Sequence, residues 1–218
     1  MKTALVIGAT GLVGKSLVKQ LLLDERFQKV VVFARRTVGL QSPKLEEHLV
    51  NFDVPQTWQH LLKGDVLFSA MGTTIGKAGS KEAQYKIDFT YQYNTAKGAA
   101  ENGVSTYELV SSAGASPSSK IFYSRMKGEL EEAVKKLPFK RIFLIQPGIL
   151  AGNRQEKRIG ERIGISVLNV LHHVPGLGAY KPIDAGIVAK AMINAAFREG
   201  EKVETFTLKE VFTLAENS

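Results

Sequence analysis

The sequence predicts an α/β fold: one doubly wound parallel sheet with helices on both faces. Three observations predict it. Short, β-branched apolar runs recur along the chain, most are separated by segments of helical period, and the first leads straight into a glycine-spaced turn that opens a helix. With 218 residues, 44% of them hydrophobic, the chain can bury the core of a single domain. We read 1–218 as that domain, with a small C-terminal elaboration on the substrate side over about 147–182.

Taken in order, Ala4–Ile7 is the first strand, and Gly8-Ala9-Thr10-Gly11-Leu12-Val13-Gly14 follows it. Gly8 permits the tight strand-to-helix turn, Gly11 lets backbone approach a pyrophosphate, and Gly14 allows close packing of helix on strand. The helix Leu12–Leu23 presents unpaired N–H groups at its start, which suit phosphate. Gly8, Thr10, Gly11, Leu12 and Gly14 are therefore candidate cofactor-binding positions. Val30–Phe33 is the second strand, and Val38–Lys44, with Gly39 and Pro43, reads as a surface loop. Further strands are expected at His48–Val50, Val66–Ser69, Tyr107–Ser111 and Arg141–Ile145, and helices at Lys81–Asn102, Ser118–Lys136 and Asp184–Arg198.

Composition narrows the function classes. With no cysteine, thiolate metal sites, disulfides and cysteine nucleophiles are excluded. The net charge of +8 invites a nucleic-acid reading, but acids are interleaved with bases, as from Lys127 to Lys136, and no aromatic platform accompanies them. We read that run as solvated surface and expect no nucleic-acid partner. No run approaches the ~18 apolar residues of a membrane span, and no signal segment precedes the first strand, so a cytoplasmic protein without membrane attachment is expected. His172-His173 lack acidic neighbours and read as flanking a helix Ile163–Val174, and no metal site is expected. The basic stretch Arg154 to Arg162 suits a phosphorylated or carboxylated substrate.

The chemistry-bearing residues gather at strand ends. Strand two ends at Arg35-Arg36, where a dinucleotide fold usually places an acid for the adenosine ribose, and a guanidinium there suits a ribose 2′-phosphate. NADP(H) is thus favoured over NAD(H), with Arg35 the stronger of the two arginines. Asp53 can accept from an adenine amino group or act as a simple turn carboxylate. Ala70, Met71 and Gly72 close strand four, with small side chains before and after that let backbone lie against a cofactor. Tyr123-Ser124-Arg125-Met126-Lys127 puts a phenol and an ammonium on one helix face at i and i+4, where Lys⁺ favours the phenolate and proton exchange with a carbonyl. Ser111-Ser112 precede this helix at the end of strand five.

On these residues the chain resembles the short-chain dehydrogenase/reductase superfamily, an NAD(P)-binding Rossmann-type fold. The carrying motifs are Gly8/Gly11/Gly14, the serine ending strand five, Tyr123-x-x-x-Lys127, and Pro147-Gly148 after strand six. More narrowly it is similar to the atypical branch that includes the HIV Tat-interacting protein, through Gly72-Thr73-Thr74-x-Gly76-Lys77-Ala78-Gly79, Ser111-Ser112-x-Gly114-Ala115, Met126-Lys127-Gly128-Glu129 and Pro147-Gly148-x-Leu150 with Arg154-Gln155-Glu156. The resemblance implies an oxidoreductase in which Tyr123 donates the proton, Lys127 assists it and hydrogen-bonds the nicotinamide ribose, and Ser112, rather than Ser111, orients the substrate carbonyl. It also implies that Pro147, Ile149 and Leu150 hold the nicotinamide carboxamide. The short segment after Pro147 points to a small carbonyl or alcohol substrate instead of a nucleotide sugar. The rival reading is a catalytically weak NADP(H)-binding regulatory or redox-sensing protein that acts through a protein partner. The sequence leaves the oligomeric state open.

Overall fold

A computed structural model describes residues 1–151 and 182–216. The strands are β1 (Lys2–Ile7), β2 (Phe27–Ala34), β3 (Leu45–Leu49), β4 (Val66–Ser69), β5 (Thr106–Val110), β6 (Arg141–Gln146), β7 (Leu150–Ala151), β8 (Ile183–Asp184) and β9 (Val203–Thr207). The helices are α1 (Leu12–Leu23), α2 (Ile75–Ala78), α3 (Lys81–Tyr85), α4 (Gln92–Glu101), α5 (Phe122–Lys135), α6 (Ala185–Ala195) and α7 (Lys209–Glu216). A π-helical turn, Lys86–Tyr91, joins α3 to α4. Seven strands form one sheet in the order β3-β2-β1-β4-β5-β6-β9, and every pairing is parallel. Parallel strands need crossovers, and the crossovers put helices on both faces.

Period-2 alternation in buried strands divides the core in two. Ala4, Val6, Val30 and Val32 point to the face covered by α1 and α6, where Leu17, Leu21, Val188 and Met192 pack. Leu5, Ile7, Leu67 and Leu144 point to the other face, under Trp58, Ala96, Leu130 and Val134. The order reverses at β1, whose neighbours are β2 and β4. Such a reversal opens a ligand crevice beyond the carboxyl ends of the strands. Among the described residues no helix is long and apolar enough to cross a membrane.

Most expected elements are present, with informative departures. Helix α1 spans the predicted Leu12–Leu23. Helix α5 starts at Phe122 and not at Ser118, because the intervening serines close turns of their own: the Ser119 hydroxyl accepts the Ile121 N–H at 3.2 Å, and Ser116 and Ser118 pair through their hydroxyls at 3.0 Å. The expected helix Lys81–Asn102 is interrupted by the π-turn. Strand β9 and helix α7 were not expected. Helix Ile163–Val174, His172-His173, Arg154–Arg162 and most of the 147–182 elaboration lie outside the described residues.

Candidate functional site

The turn after β1 is shaped by what its glycines lack. Gly8 has a φ of +79°, and a Cβ there would lie 2.3 Å from the Ala70 carbonyl carbon. Ala70 in turn donates its N–H to the Ile7 carbonyl at 3.0 Å, so the loop after β4 lies directly on the turn. A Cβ on Gly14 would come within 2.1 Å of the Gly8 oxygen, which confirms the close helix-on-strand packing read from the sequence. Gly11 is exposed and, as N-cap of α1, offers no side-chain acceptor, nor is there an acid in the first turn. The first amides of α1, next to Thr10 and Leu12, are therefore not capped by a side chain of the helix itself.

Around this cradle, Arg35 and Arg36 are exposed just beyond β2, with neither guanidinium paired among the described residues. Asp53 is more constrained than a bare acceptor: Lys86 Nζ lies 2.5 Å and the Tyr91 hydroxyl 2.7 Å from its Oδ1. Lys86, then Tyr91, hold this exposed carboxyl below the usual aspartate range. Met71 and Ala70 are half-buried and Gly72 is exposed, at the carboxyl edge of β4.

The proton-handling residues come from α5 and the end of β5. A Cβ on Gly128 would lie 2.3 Å from the Ser116 carbonyl carbon, so its absence lets α5 lie against the loop after β5. Lys127 is 2% exposed and donates from Nζ to the Val110 carbonyl at 3.1 Å. Tyr123, one turn earlier, is half-buried and has no hydrogen-bond partner among the described residues. The two serines separate cleanly. Ser111 is buried with its hydroxyl on Glu131, whereas Ser112 is half-buried and its hydroxyl makes only a 3.3 Å contact with the adjacent Ala113 carbonyl. Pro147 accepts the Ala113 N–H at 3.0 Å, which joins the ends of β5 and β6. Ile149 and Leu150 anchor the short β7–β8 pair: Ile183 donates to Ile149 at 2.9 Å and pairs with Leu150.

Sequence reasoning missed a second layer. On α3, the π-turn and α4, Gln84, Asp88 and Gln92 are buried at four-residue intervals, and Gln92 accepts from the Ser69 hydroxyl at 2.7 Å. Asp88 accepts the Thr73 N–H at 2.8 Å, and burial pushes its carboxyl up to about 6, with Lys127 pulling the other way. On α5, Glu131 is buried between Ser111 and Gln146, whose amide donates to it at 2.8 Å. Burial raises the Glu131 carboxyl as well. The reading of Lys127 to Lys136 as solvated surface is therefore corrected: Lys127 and Glu131, at i and i+4, face inward together with Gly128, Leu130 and Val134. The missed signal was polar residues spaced by four on the apolar face of each helix.

Residues 8–141 match the model of a family described as NAD(P)H-binding. The chain is 36% identical over 197 residues to Protein FMP52, mitochondrial, of Candida albicans, covering 88% of this chain and 86% of that one. It is 34% identical over 206 residues to the Aspergillus niger fmp52 protein, also named mitochondrial, covering 91% and 88%. These names overturn the expectation of a cytoplasmic location, which rested only on the absence of targeting and membrane segments. Solved structures share the fold at low identity. MoeE5 in complex with UDP-glucose and NAD superposes with a TM-score of 0.69 at 15% identity, over 98% of this chain and 81% of that one. The oxidoreductase ylbE from Lactococcus lactis gives 0.64 at 18%, over 97% and 95%. The expected NAD(P)-binding Rossmann-type fold is borne out; the narrower Tat-interacting branch is not shown by these relatives.

Proposed function

Because the chain belongs to the NAD(P)H-binding family, we propose that it is an NADP(H)-dependent oxidoreductase that reduces a small carbonyl compound or oxidises the matching alcohol. The observation that carries this reading is the arrangement at α5: a buried Lys127 fixed to the Val110 carbonyl, a Tyr123 one turn away without a partner among the described residues, and Ser112 whose hydroxyl has among them only the adjacent Ala113 carbonyl. A pocket that only held a dinucleotide would need no free phenol beside it.

The residues fit the cofactor. Gly8 and Gly14 let the turn close on Ala70 and on itself where a Cβ would collide, Gly11 keeps the start of α1 bare, and that open start supplies amides for phosphate. Thr10 and Leu12 flank it, Ala70, Met71 and Gly72 form the opposite wall, and Pro147, Ile149 and Leu150 close the nicotinamide end. When bound, the nicotinamide supplies or accepts the hydride. Tyr123 gives its proton to the carbonyl oxygen in reduction and recovers it afterwards, Lys127 stabilises the phenolate by its charge, and Ser112 holds the oxygen by a hydrogen bond. Arg35, unpaired among the described residues just beyond β2, meets a 2′-phosphate, with Arg36 beside it. Asp53, already held by Lys86 and Tyr91, retains Oδ2 for an adenine amino group.

Cofactor choice is one expected outcome. By titration calorimetry NADPH binds more tightly than NADH by about 1.5–3 kcal/mol, the scale of a hydrogen bond to a charged group, and Arg35→Asp shrinks or inverts the margin. Equal affinities in the unaltered protein overturn the NADP(H) assignment. The activity itself is tested with a panel of small aldehydes and ketones, some carboxylated or phosphorylated, read as loss of NADPH absorbance. Consumption with at least one member is expected. No turnover, together with an NADPH-dependent change in affinity for a protein partner, would replace the enzyme by a sensor.

A further inference from the structure

Glu131 takes no part in the steps above, yet its hydrogen bonds join three elements of the site. We propose that Glu131 is a positioning residue: through Oε1 it ties α5, which carries Tyr123 and Lys127, to the ends of β5 and β6, which lead into Ser112 and Pro147, and so sets the distance between the phenol and the serine hydroxyl. The roles of those four residues rest on the functional reading just given.

Three observations carry the proposal. First, Glu131 is 5% exposed and one of its oxygens takes two donors: Oε1 accepts the Ser111 hydroxyl and, at 2.8 Å, the Gln146 side-chain amide. Ser111 stands just beyond β5 and directly before Ser112; Gln146 ends β6 and directly precedes Pro147. Both donors are themselves fixed. Ser111 gives its N–H to the Ile145 carbonyl at 2.7 Å, and the Gln146 carbonyl accepts the Leu208 N–H at 3.1 Å. Second, Glu131 follows Lys127 by one turn on the same helix face, and the two hold consecutive residues with opposite polarity. Lys127 Nζ donates to the Val110 carbonyl at 3.1 Å, while Glu131 accepts from Ser111. A single contact would let the helix pivot about it; a second, four residues on, fixes its rotation. Third, nothing else polar on α5 does this. Arg125 donates to the Ser119 carbonyl of the preceding loop, and Lys135 pairs with Glu132 within the helix, so among the described residues Lys127 and Glu131 are the side chains whose hydrogen bonds seat α5 on the strand ends. Leu130 and Val134 press the helix on the sheet, but apolar packing has no direction and does not set the position of a hydroxyl. A misplacement of about 1 Å between reacting groups costs up to about 10²-fold in rate, so a contact that only positions is worth much to the chemistry.

The test uses the full chain and three variants. Glu131→Gln keeps the shape and the Oε1 acceptor but not the charge, Glu131→Met keeps only the length, and Ser111→Ala removes one of the two donors. Turnover is measured with whichever carbonyl the panel identifies, and NADPH affinity by calorimetry. In the ligand-free protein, nuclear magnetic resonance follows hydrogen exchange of the Ala113 amide beside that of Val6 in β1. Ala113 reports the junction, because its N–H bridges to the Pro147 carbonyl at 3.0 Å just past the Glu131 contacts. Glu131→Met lowers kcat by about 10–100-fold, with KM and NADPH affinity changed by less than about threefold. It also cuts Ala113 protection about tenfold more than that of Val6, the scale of one hydrogen bond to a charged group. Glu131→Gln returns both kcat and Ala113 protection to within about threefold of the unaltered protein, Ser111→Ala falls between, and Ser111→Ala combined with Glu131→Met loses no more than Glu131→Met alone. A Glu131→Gln as slow as Glu131→Met, equal losses of protection at Ala113 and Val6, losses that add in the double variant, or a loss confined to KM or NADPH affinity overturns the proposal. Where Glu131→Met does not fold, the other two variants decide: slower turnover and weaker Ala113 protection in Ser111→Ala but not in Glu131→Gln support it, and any other pattern overturns it. No turnover of any carbonyl by the unaltered protein overturns the functional reading instead, and the exchange measurements then decide the Glu131 link without it.

Discussion

Tyr123→Phe is expected to lower turnover by about 10²–10⁴-fold, the range of a lost general acid, while NADPH affinity stays nearly intact. The separation follows from where the hydroxyl is. The ring of Tyr123 packs half-buried at the start of α5, and a phenylalanine preserves it; the hydroxyl has no partner among the described residues, so no fold contact is lost with it. Lys127→Ala behaves differently. It takes from the Val110 carbonyl the Lys127 donor and removes a cation that favours ionised Asp88 and, alongside Lys135, ionised Glu131, and it should damage binding and turnover together. The check is steady-state reduction of whichever carbonyl proves active, beside calorimetric NADPH affinity for each variant. An undiminished rate in Tyr123→Phe removes the tyrosine from the chemistry.

The second large effect concerns stability. Glu108, in the middle of β5, is fully buried opposite Phe68 of β4 and Phe143 of β6, and among the described residues neither carboxylate oxygen has a hydrogen-bond partner. Burial pushes its carboxyl well above the ordinary glutamate range. Lys2, whose ammonium donates to the Ala196 carbonyl at 2.5 Å, favours the ionised form, but burial outweighs it. The folded protein therefore keeps a proton that the unfolded chain gives up in the ordinary carboxylate range. Stability contributed by that proton is fully present below the unfolded pKa and is lost as pH rises toward the folded one, at about 1.4 kcal/mol per pH unit for one proton. Asp88 and Glu131, also raised, add to the slope, but Asp88 stops contributing above its pKa of about 6. Glu108→Gln should flatten the remaining slope and raise the melting temperature at neutral and alkaline pH, measured by calorimetry in a pH series. A slope identical to that of the unaltered protein would falsify this account of Glu108.

Much of the framework was legible in the sequence where burial is two-sided. Ala4–Ile7, Val30–Phe33, Val66–Ser69 and Arg141–Ile145 lie inside central strands that, apart from Ser69 and Arg141 at the ends of their runs, show apolar side chains to the helices above and below, and their runs are unmistakable. The edge strands are different. Leu45–Leu49 carries Glu46, Glu47 and His48, and Val203–Thr207 alternates Glu and Thr with apolar residues; each is paired on one side only, so the apolar signal fades, and β3 was placed late and β9 missed. The same logic governs the site. Glycines and Tyr123-x-x-x-Lys127 have fixed spacing because backbone geometry demands it. Asp88 and Glu131 have none: their burial depends on contacts with Thr73, Ser111 and Gln146 that are remote in sequence, and a charged residue on a helix looks the same whether it faces water or a lysine.

The glycine turn after β1 is completed by the last part of the chain. Helix α6 covers α1, with Gln20 donating to the Gly186 carbonyl at 3.0 Å, and Phe197 carries both Lys2 and Arg26 over its ring. During synthesis the apolar side of α1, with Leu17, Val18 and Leu21, therefore leaves the ribosome long before Val188 and Met192 exist to shield it. At ordinary elongation rates the wait is on the order of ten seconds, a long time for an exposed hydrophobic stripe. A chain released before residue 185 would possess every residue assigned to the chemistry and still lack a lid for this stripe, so the nascent protein is a natural client for chaperones that bind apolar helices.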